Sequence, residues 1–221
     1  NPMHKAVIFD KDGTLLDFDA TWNEAVGAAF DQISDQKARM QAAELFGYDL
    51  NRRCVLPQSA FVSETSDVTD ELVADLIDIG AFKQTLNEAS RRTVVANKGA
   101  RETLESLLRR GWRLAVATND SELLAIEHLE TLGWERLFTS IKGFDSGHGA
   151  KPGPGMVIAA AEDCDALDGL YLMVGDSVHD ILAGKAAGAI TVAIGSHPAA
   201  LELADHKIDQ LGDLLEIVES L

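Results

Sequence analysis

Cysteine is scarce: Cys54 and Cys164 are the only two in 221 residues, and they form neither a metal-ligand spacing nor a disulfide framework. They are expected to be reduced thiols in a cytosolic protein, and each also reads as a small apolar core residue. Long apolar runs are missing as well. No stretch approaches the roughly 18 uninterrupted apolar residues of a membrane helix, and no charged-then-apolar leader opens the chain, so neither a membrane span nor export is expected. Positive charge is in deficit, with 19 Lys and Arg against 36 Asp and Glu and a formal charge of -17. A field of that sign repels nucleic acid and anionic membrane surfaces and argues against both as partners. It opposes any anionic small molecule too, unless a local cation offsets it. Internal repeats, low-complexity tracts and Pro- or Ser-rich linkers are also lacking, so domain boundaries rest on changes of pattern alone.

Hydrophobic residues make up 46% of the chain, enough for a sizeable core. Short β-prone apolar runs occur at residues 5 to 9, 113 to 117, 170 to 174 and 191 to 194, each followed by turn residues or a helical pattern. Such runs predict parallel strands buried on both faces. Between them Ala100, Leu104, Leu107 and Leu108 recur at helical spacing and stop at Gly111, while Leu124, Leu129 and Leu132 stop at Gly133. These read as crossover helices of an α/β fold. A short strand near Lys207 and Ile208 and an amphipathic helix through Leu211, Leu214, Leu215 and Val218 are expected to close the sheet. Residues 17–94 differ, offering helical patterns without strand-like runs between them. Ala25, Ala28, Ala29 and Ile33 predict one helix; Leu72, Leu76 and Ile79 with Gly80 behind them predict another. The expectation is an all-helical insertion at 17–94 in an α/β core of residues 1–16 and 95–221, with Asn1 and Pro2 set aside.

Four segments carry the chemistry. The first strand delivers Phe9-Asp10-Lys11-Asp12-Gly13-Thr14-Leu15-Leu16, two carboxylates at the sheet edge where open parallel sheets bind ligands. Strand alternation would send Asp10 and Asp12 to opposite sides, so both serve one site only if the chain turns sharply, which Gly13 permits. A carboxylate there can attack phosphorus, and a second can protonate the leaving oxygen and later activate water. The next segment, Val116-Ala117-Thr118-Asn119-Asp120, puts a hydroxyl and an amide between a strand and a helix start. Thr118 and Asn119 there read either as phosphate-binding groups or as helix caps. In Gly149-Ala150-Lys151-Pro152-Gly153-Pro154 a lysine sits in a loop stiffened by Gly and Pro, placed to neutralise a phosphoryl group and hold Asp10, or else solvated. Last, Leu172-Met173-Val174-Gly175-Asp176-Ser177-Val178-His179-Asp180 ends another apolar strand on carboxylates. Asp176 can share a hard cation such as Mg²⁺ with Asp10, and Asp180 can orient a metal-bound water or Lys151; both also read as capping or solvated residues.

Together these segments resemble motifs one to four of the haloacid dehalogenase superfamily, in its phosphoglycolate phosphatase-like branch, over nearly the whole chain. The Ala183-Gly184-Lys185-Ala186-Ala187-Gly188 run resembles the small-residue helix after motif four. The resemblance implies a Rossmann-like parallel sheet flanked by helices, with the insertion as a helical cap that closes over substrate. It implies Asp10 as nucleophile, Asp12 as general acid and base, Thr118 and Asn119 in phosphate binding, and Lys151 in charge balance. Asp10, Asp176 and the backbone carbonyl of Asp12 would be Mg²⁺ ligands, with Asp180 in support. The implied activity is hydrolysis of a small phosphorylated metabolite through an aspartyl phosphate.

Other readings start from the same residues. A phosphomutase differs only in the fate of the aspartyl phosphate, and GDSVHD with Asp180 in place looks more like the phosphatases. Dehalogenation disagrees with the presence of Asp12. A non-catalytic binding protein on the scaffold disagrees with the complete set of motifs. His148 and His179 border the motifs but fit no metal set, while Trp22, Phe61 and Phe82 read as core of the insertion or as pocket lining. Arg52 and Arg53 are the only basic residues between Arg39 and Lys83. They are candidates for reading an anionic end of the substrate, or surface partners of Glu44 and Asp49.

Overall fold

The computed structural model describes residues 4–221; Asn1 and Pro2 lie outside them. In chain order the elements begin with β1 (Lys5–Phe9), α1 (Phe18–Asp31), α2 (Gln36–Phe46), β2 (Tyr48–Asp49), β3 (Cys54–Val55), α3 (Ser66–Val73) and α4 (Ile79–Thr93). They continue through α5 (Ala100–Arg109), β4 (Arg113–Ala117), α6 (Glu122–Leu132), β5 (Ser140–Lys142), α7 (Gly155–Asp163) and β6 (Leu170–Gly175). The chain ends with α8 (Val178–Ala186), β7 (Ile190–Ile194), α9 (Pro198–Leu203), β8 (His206–Ile208) and α10 (Leu214–Glu219).

The chain divides into two compact units, one of residues up to Leu16 with Ala96–Leu221, the other Asp17–Val95. In the first unit six parallel strands run in the order β5-β4-β1-β6-β7-β8. Alternation on β1 explains the two-layer core. Val7 and Phe9 join Leu114, Val116, Leu172 and Val174 on one face, against Leu104, Leu107 and Leu214. Ala6 and Ile8 turn the other way, to Met173 and the small residues Ala160, Ala161 and Ala183. Each fully buried Leu or Phe contributes about 1.5–3 kcal/mol, so the sheet is a rigid base for the loops at its carboxyl edge. The expected strands and crossover helices are present, and the three-residue β5 is added to them.

The second unit departs from the all-helical expectation, because β2 and β3 form a small antiparallel pair. The helix predicted through Leu72, Leu76 and Ile79 is two: α3 stops at Val73, and the Asp78 side chain accepts from the Ala81 N–H at 3.2 Å to start α4. Asp17 and Asp35 cap α1 and α2 in the same way, and Ile33 lies beyond the end of α1. Val95 belongs to this unit, one residue past the expected boundary, since its N–H donates to Thr21 Oγ1 at 3.1 Å and its carbonyl accepts from Asp17 N–H at 2.9 Å. The unit has its own aromatic core, with Phe30 stacked on Tyr48 at 5.3 Å and edge-on to Phe82 at 4.9 Å, and Trp22 edge-on to Phe61 at 5.0 Å. Trp22 and Phe82 are accordingly buried. Both cysteines are free thiols, Cys164 buried and Cys54 half-buried. Among the described residues no helix is long and apolar enough to cross a membrane.

Candidate active site

Asp10, Thr118 and Asp176 each directly follow a strand, β1, β4 and β6, at the shared carboxyl edge of neighbouring parallel strands. The ladder extends into the site: Asp10 N–H donates to Val174 O at 2.9 Å and Thr118 N–H to Lys142 O at 2.9 Å, so both residues sit on fixed backbone. After Asp10 the chain turns as its sequence requires. The Lys11 carbonyl accepts from the Leu15 and Leu16 N–H groups at 2.9 and 3.0 Å, and Gly13 takes φ +85. A Cβ on Gly13 would lie 2.1 Å from Asp176 Oδ2, so only glycine lets this loop approach the carboxylate.

Lys151 ties the site together. Its Nζ donates to Asp10 Oδ1 at 2.8 Å, to Asp180 Oδ1 at 2.6 Å and to the Ala117 carbonyl at 2.7 Å, which accounts for the three protons of an ammonium. The solvated-lysine alternative is thereby closed, since Lys151 is 3% exposed. Burial pushes its pKa down, but the Asp10 and Asp180 carboxylates more than offset this and hold it above the usual lysine range. Asp180 combines both roles considered for it. Its Oδ2 accepts from the Asp176 and Ser177 N–H groups at 3.1 Å each, closing a capping box with Ser177, while Oδ1 holds Lys151. Gly175 leaves room for this, because a Cβ there would lie 2.3 Å from the Asp180 Cβ.

Carboxylate oxygens of Asp10, Asp176 and Asp180 all lie within 4.8 Å of one another. One lysine does not balance three such groups. Burial, and after it the Asp180 charge, push Asp10 up to about 6 against the pull of Lys151, and burial with the Asp10 and Asp180 charges pushes Asp176 well up. Crowded, under-neutralised carboxylate oxygens such as these are compatible with a divalent cation.

Thr118 is 2% exposed, and its Oγ1 accepts from the Asp120 N–H at 3.1 Å, which leaves the hydroxyl proton for donation. Ser121, not Thr118 or Asn119, caps α6. The Asn119 side chain faces the Lys151 backbone. Its Nδ2 donates to Lys151 O at 3.0 Å and its Oδ1 accepts from Lys151 N–H at 2.9 Å, so it clamps the lysine backbone. The Asp12 carboxylate stands in a second group with Asp120 and His128, around the buried ammonium of Lys11. Lys11, Asp120 and His128 carry no motif signal of their own in the sequence. One signal was available: His128 occupies the buried face of α6 with Leu124, Ala125 and Leu129.

In the second unit Arg53 is paired with two carboxylates. Its Nε donates to Glu24 at 3.1 Å and its Nη1 and Nη2 to the two Asp31 oxygens at 3.1 Å each, partners other than Glu44 and Asp49. Arg52 is exposed, and its backbone N–H donates to Asp49 Oδ1 at 2.9 Å.

The family model of haloacid dehalogenase-like hydrolases matches residues 4–188. A phosphoglycolate phosphatase of Vibrio parahaemolyticus is 30% identical over 97% of this chain and 96% of its own length. The pyrophosphatase PpaX of Halalkalibacterium halodurans is 27% identical over 96% and 95% respectively. Among solved structures, a predicted phosphoglycolate phosphatase from Haemophilus somnus superposes with a TM-score of 0.75 at 21% identity, covering 97% of this chain and 98% of that one. With four motif segments joined at one sheet edge and these relatives aligned almost end to end, the chain belongs to the haloacid dehalogenase-like hydrolases, in their phosphoglycolate phosphatase-like branch.

Proposed function

We propose that the chain hydrolyses a small phosphate monoester, such as phosphoglycolate, by transferring the phosphoryl group to Asp10 and then to water, with Mg²⁺ bound at Asp10, Asp176 and the Asp12 carbonyl. The carrying observation is the Lys151 ammonium on Asp10 Oδ1, within a cluster whose remaining carboxylates lack enough positive charge. Asp10 attacks phosphorus through its other oxygen, Oδ2, while Lys151 holds Oδ1 and fixes the carboxylate plane. Thr118 donates its hydroxyl proton to a phosphoryl oxygen, and Lys151 offsets the charge that gathers there. Asp12 protonates the leaving alkoxide and then, as carboxylate, takes a proton from the water that opens the acyl phosphate. A bound Mg²⁺ supplies the positive charge missing from the cluster and polarises the phosphoryl oxygens. The free thiols Cys54 and Cys164 fit a cytosolic setting.

The deciding experiment measures phosphate release from phosphoglycolate, pyrophosphate, glucose 1-phosphate and p-nitrophenyl phosphate, with Mg²⁺ and with EDTA. Fastest release from an alkyl monoester, lost in EDTA, is the expected result. Fastest release from pyrophosphate would move the substrate to the type named for the PpaX relatives, and isomerised sugar phosphate would make the chain a mutase. Arg52 is the remaining candidate in the insertion for the substrate's second anionic group. Arg52→Ala should raise KM for phosphoglycolate about tenfold, the loss of one charge-assisted hydrogen bond, and leave p-nitrophenyl phosphate unchanged. An equal change on both would remove Arg52 from specificity.

A further inference from the structure

Between the two motif-one carboxylates lies a lysine with no part in the scheme so far. Lys11 is 0% exposed, although it follows the nucleophile directly. Its Nζ reaches Asp12 Oδ2 at 3.1 Å, Asp120 Oδ2 at 2.8 Å and His128 Nδ1 at 2.6 Å. An ammonium has only protons to offer, so His128 Nδ1 accepts and the imidazole is the neutral tautomer with its proton on Nε2. A buried lysine is costly unless its charge is paired, and here two carboxylates and an imidazole meet it on three sides. The three partners come from different places: Asp12 from the loop after β1, Asp120 from the loop after β4, and His128 from the buried face of α6. Oxygen and nitrogen ligand atoms of Asp12, Asp120 and His128 lie within 4.8 Å of one another, a grouping that resembles a metal site. Its centre is taken by the chain's own cation.

We propose that Lys11 is a positioning residue for the second carboxyl group: its ammonium, locked by Asp120 and His128, holds Asp12 through Oδ2 and leaves Oδ1 to carry and give up the transferred proton. This rests on the proposed role of Asp12 as general acid and base. Asp12 sits on a turn, where a short side chain has freedom to rotate, and it must meet the leaving oxygen in one step and water in the next. Lys11 approaches Asp12 Oδ2 at 3.1 Å and Oδ1 at 3.4 Å, so the carboxylate is held mainly by one oxygen. The lock is rigid because two of the lysine's three protons are committed to groups on other elements.

The scheme makes two steps depend on Asp12 differently, and that gives the test. Forming the aspartyl phosphate from an alkyl ester needs protonation of a poor leaving group, whereas nitrophenolate leaves without it. Opening the aspartyl phosphate needs Asp12 as base whatever the substrate. In Lys11→Met, kcat/KM for phosphoglycolate, or for whichever alkyl monoester the panel favours, should fall about 30-fold or more, and kcat/KM for p-nitrophenyl phosphate less than about threefold. The kcat for both should fall, so that KM for p-nitrophenyl phosphate drops together with kcat. Asp12→Asn, measured alongside, should show the same split more strongly. If Asp12→Asn shows no split, the role of Asp12 itself fails. A split in Asp12→Asn that is missing from Lys11→Met overturns the role of Lys11, as does an equal loss on both substrates. His128→Gln, which keeps the fold-determining charges and weakens only the lock, covers the case in which Lys11→Met does not fold. It should show a smaller split of the same sign, and identical losses on the two substrates would again overturn the proposal.

Discussion

Two buried lysines, Lys11 and Lys151, sit at the same sheet edge among similar side chains, and their surroundings end in opposite electrostatic states. Around Lys151 three carboxylates share one ammonium, and Asp10 is pushed up to about 6 with Asp176 raised well above its usual range. Around Lys11 two carboxylates share one ammonium and the third partner is a neutral imidazole. Burial pushes Asp120 up, but Lys11 outweighs it and Asp120 falls to about 2; Lys11 itself is raised, since Asp12 and Asp120 outweigh its burial. Both groups have the composition of a metal site. Charge count separates them: three carboxylates against one ammonium leave two negative charges unmatched in the first, and two against one leave a single one in the second. An acidic cluster is therefore read by what already neutralises it, not by how many carboxylates it contains.

The largest expected effect breaks the first cluster at its nucleophile. Asp10→Asn should lower kcat by at least about 10³-fold while the protein still melts cooperatively, because an amide cannot carry the phosphoryl group. Residual turnover at a few per cent in a preparation free of contaminating phosphatase would move the nucleophile elsewhere.

Removing either lysine tests whether the two clusters are equal as structure. Lys151→Met and Lys11→Met should each cost about 3–5 kcal/mol in urea unfolding, since each strands buried carboxylates. Lys151→Met should in addition gain stability from millimolar Mg²⁺. Loss of stability in only one of the two variants would mean that only that ion cluster is structural.

Titration sharpens the contrast through the metal. The folded-state pKa of Asp10, about 6, lies above its ordinary 3.8. The sign is that of a raised acid: its contribution to the metal-free protein is fully present below about pH 4 and is lost as pH rises through about 6. Mg²⁺ competes with that proton. The Mg²⁺-induced rise in Tm should therefore be small at pH 5 and grow toward pH 7.5, reaching about 2.7 kcal/mol of stabilisation when Mg²⁺ is at 100 times its Kd. Asp176→Asn should flatten the response, and a shift independent of pH would place the metal away from Asp10.

The smallest effect comes from the ion pairs of the other unit. Asp31 is about half exposed, so Asp31→Asn should cost less than about 1 kcal/mol despite its two-pronged contact with Arg53, with kcat unchanged. A larger loss would show that Arg53, like the two buried lysines, holds its unit together.

Much of this protein is written locally in its sequence. The strands of the sheet are short apolar runs that alternate between two buried faces, and the helices end at Gly133 and begin at capping residues, all signals contained within a dozen neighbouring positions. Asp10, Lys151, Asp176 and Asp180 were legible for the same reason, each marked by the turn or strand end beside it. The pair β2 and β3, two residues each, and the break between Val73 and Ile79 were not, because an isolated pair of β residues has no period and the apolar spacing of Leu72, Leu76 and Ile79 runs across the break. Only the tertiary structure decided what the charged groups do. Lys11 meets His128 across 117 residues of sequence and Lys151 meets Asp10 across 141, contacts that exist because β4 flanks β1 and β5 flanks β4 in the sheet. Asn119 became a clamp on Lys151, and Arg53 a partner of Glu24 and Asp31, in the same way. Local sequence sets backbone direction through sterics and hydrophobic period, but a charge is neutralised by whatever lies within a few ångströms, and that neighbourhood is assembled only when the chain folds.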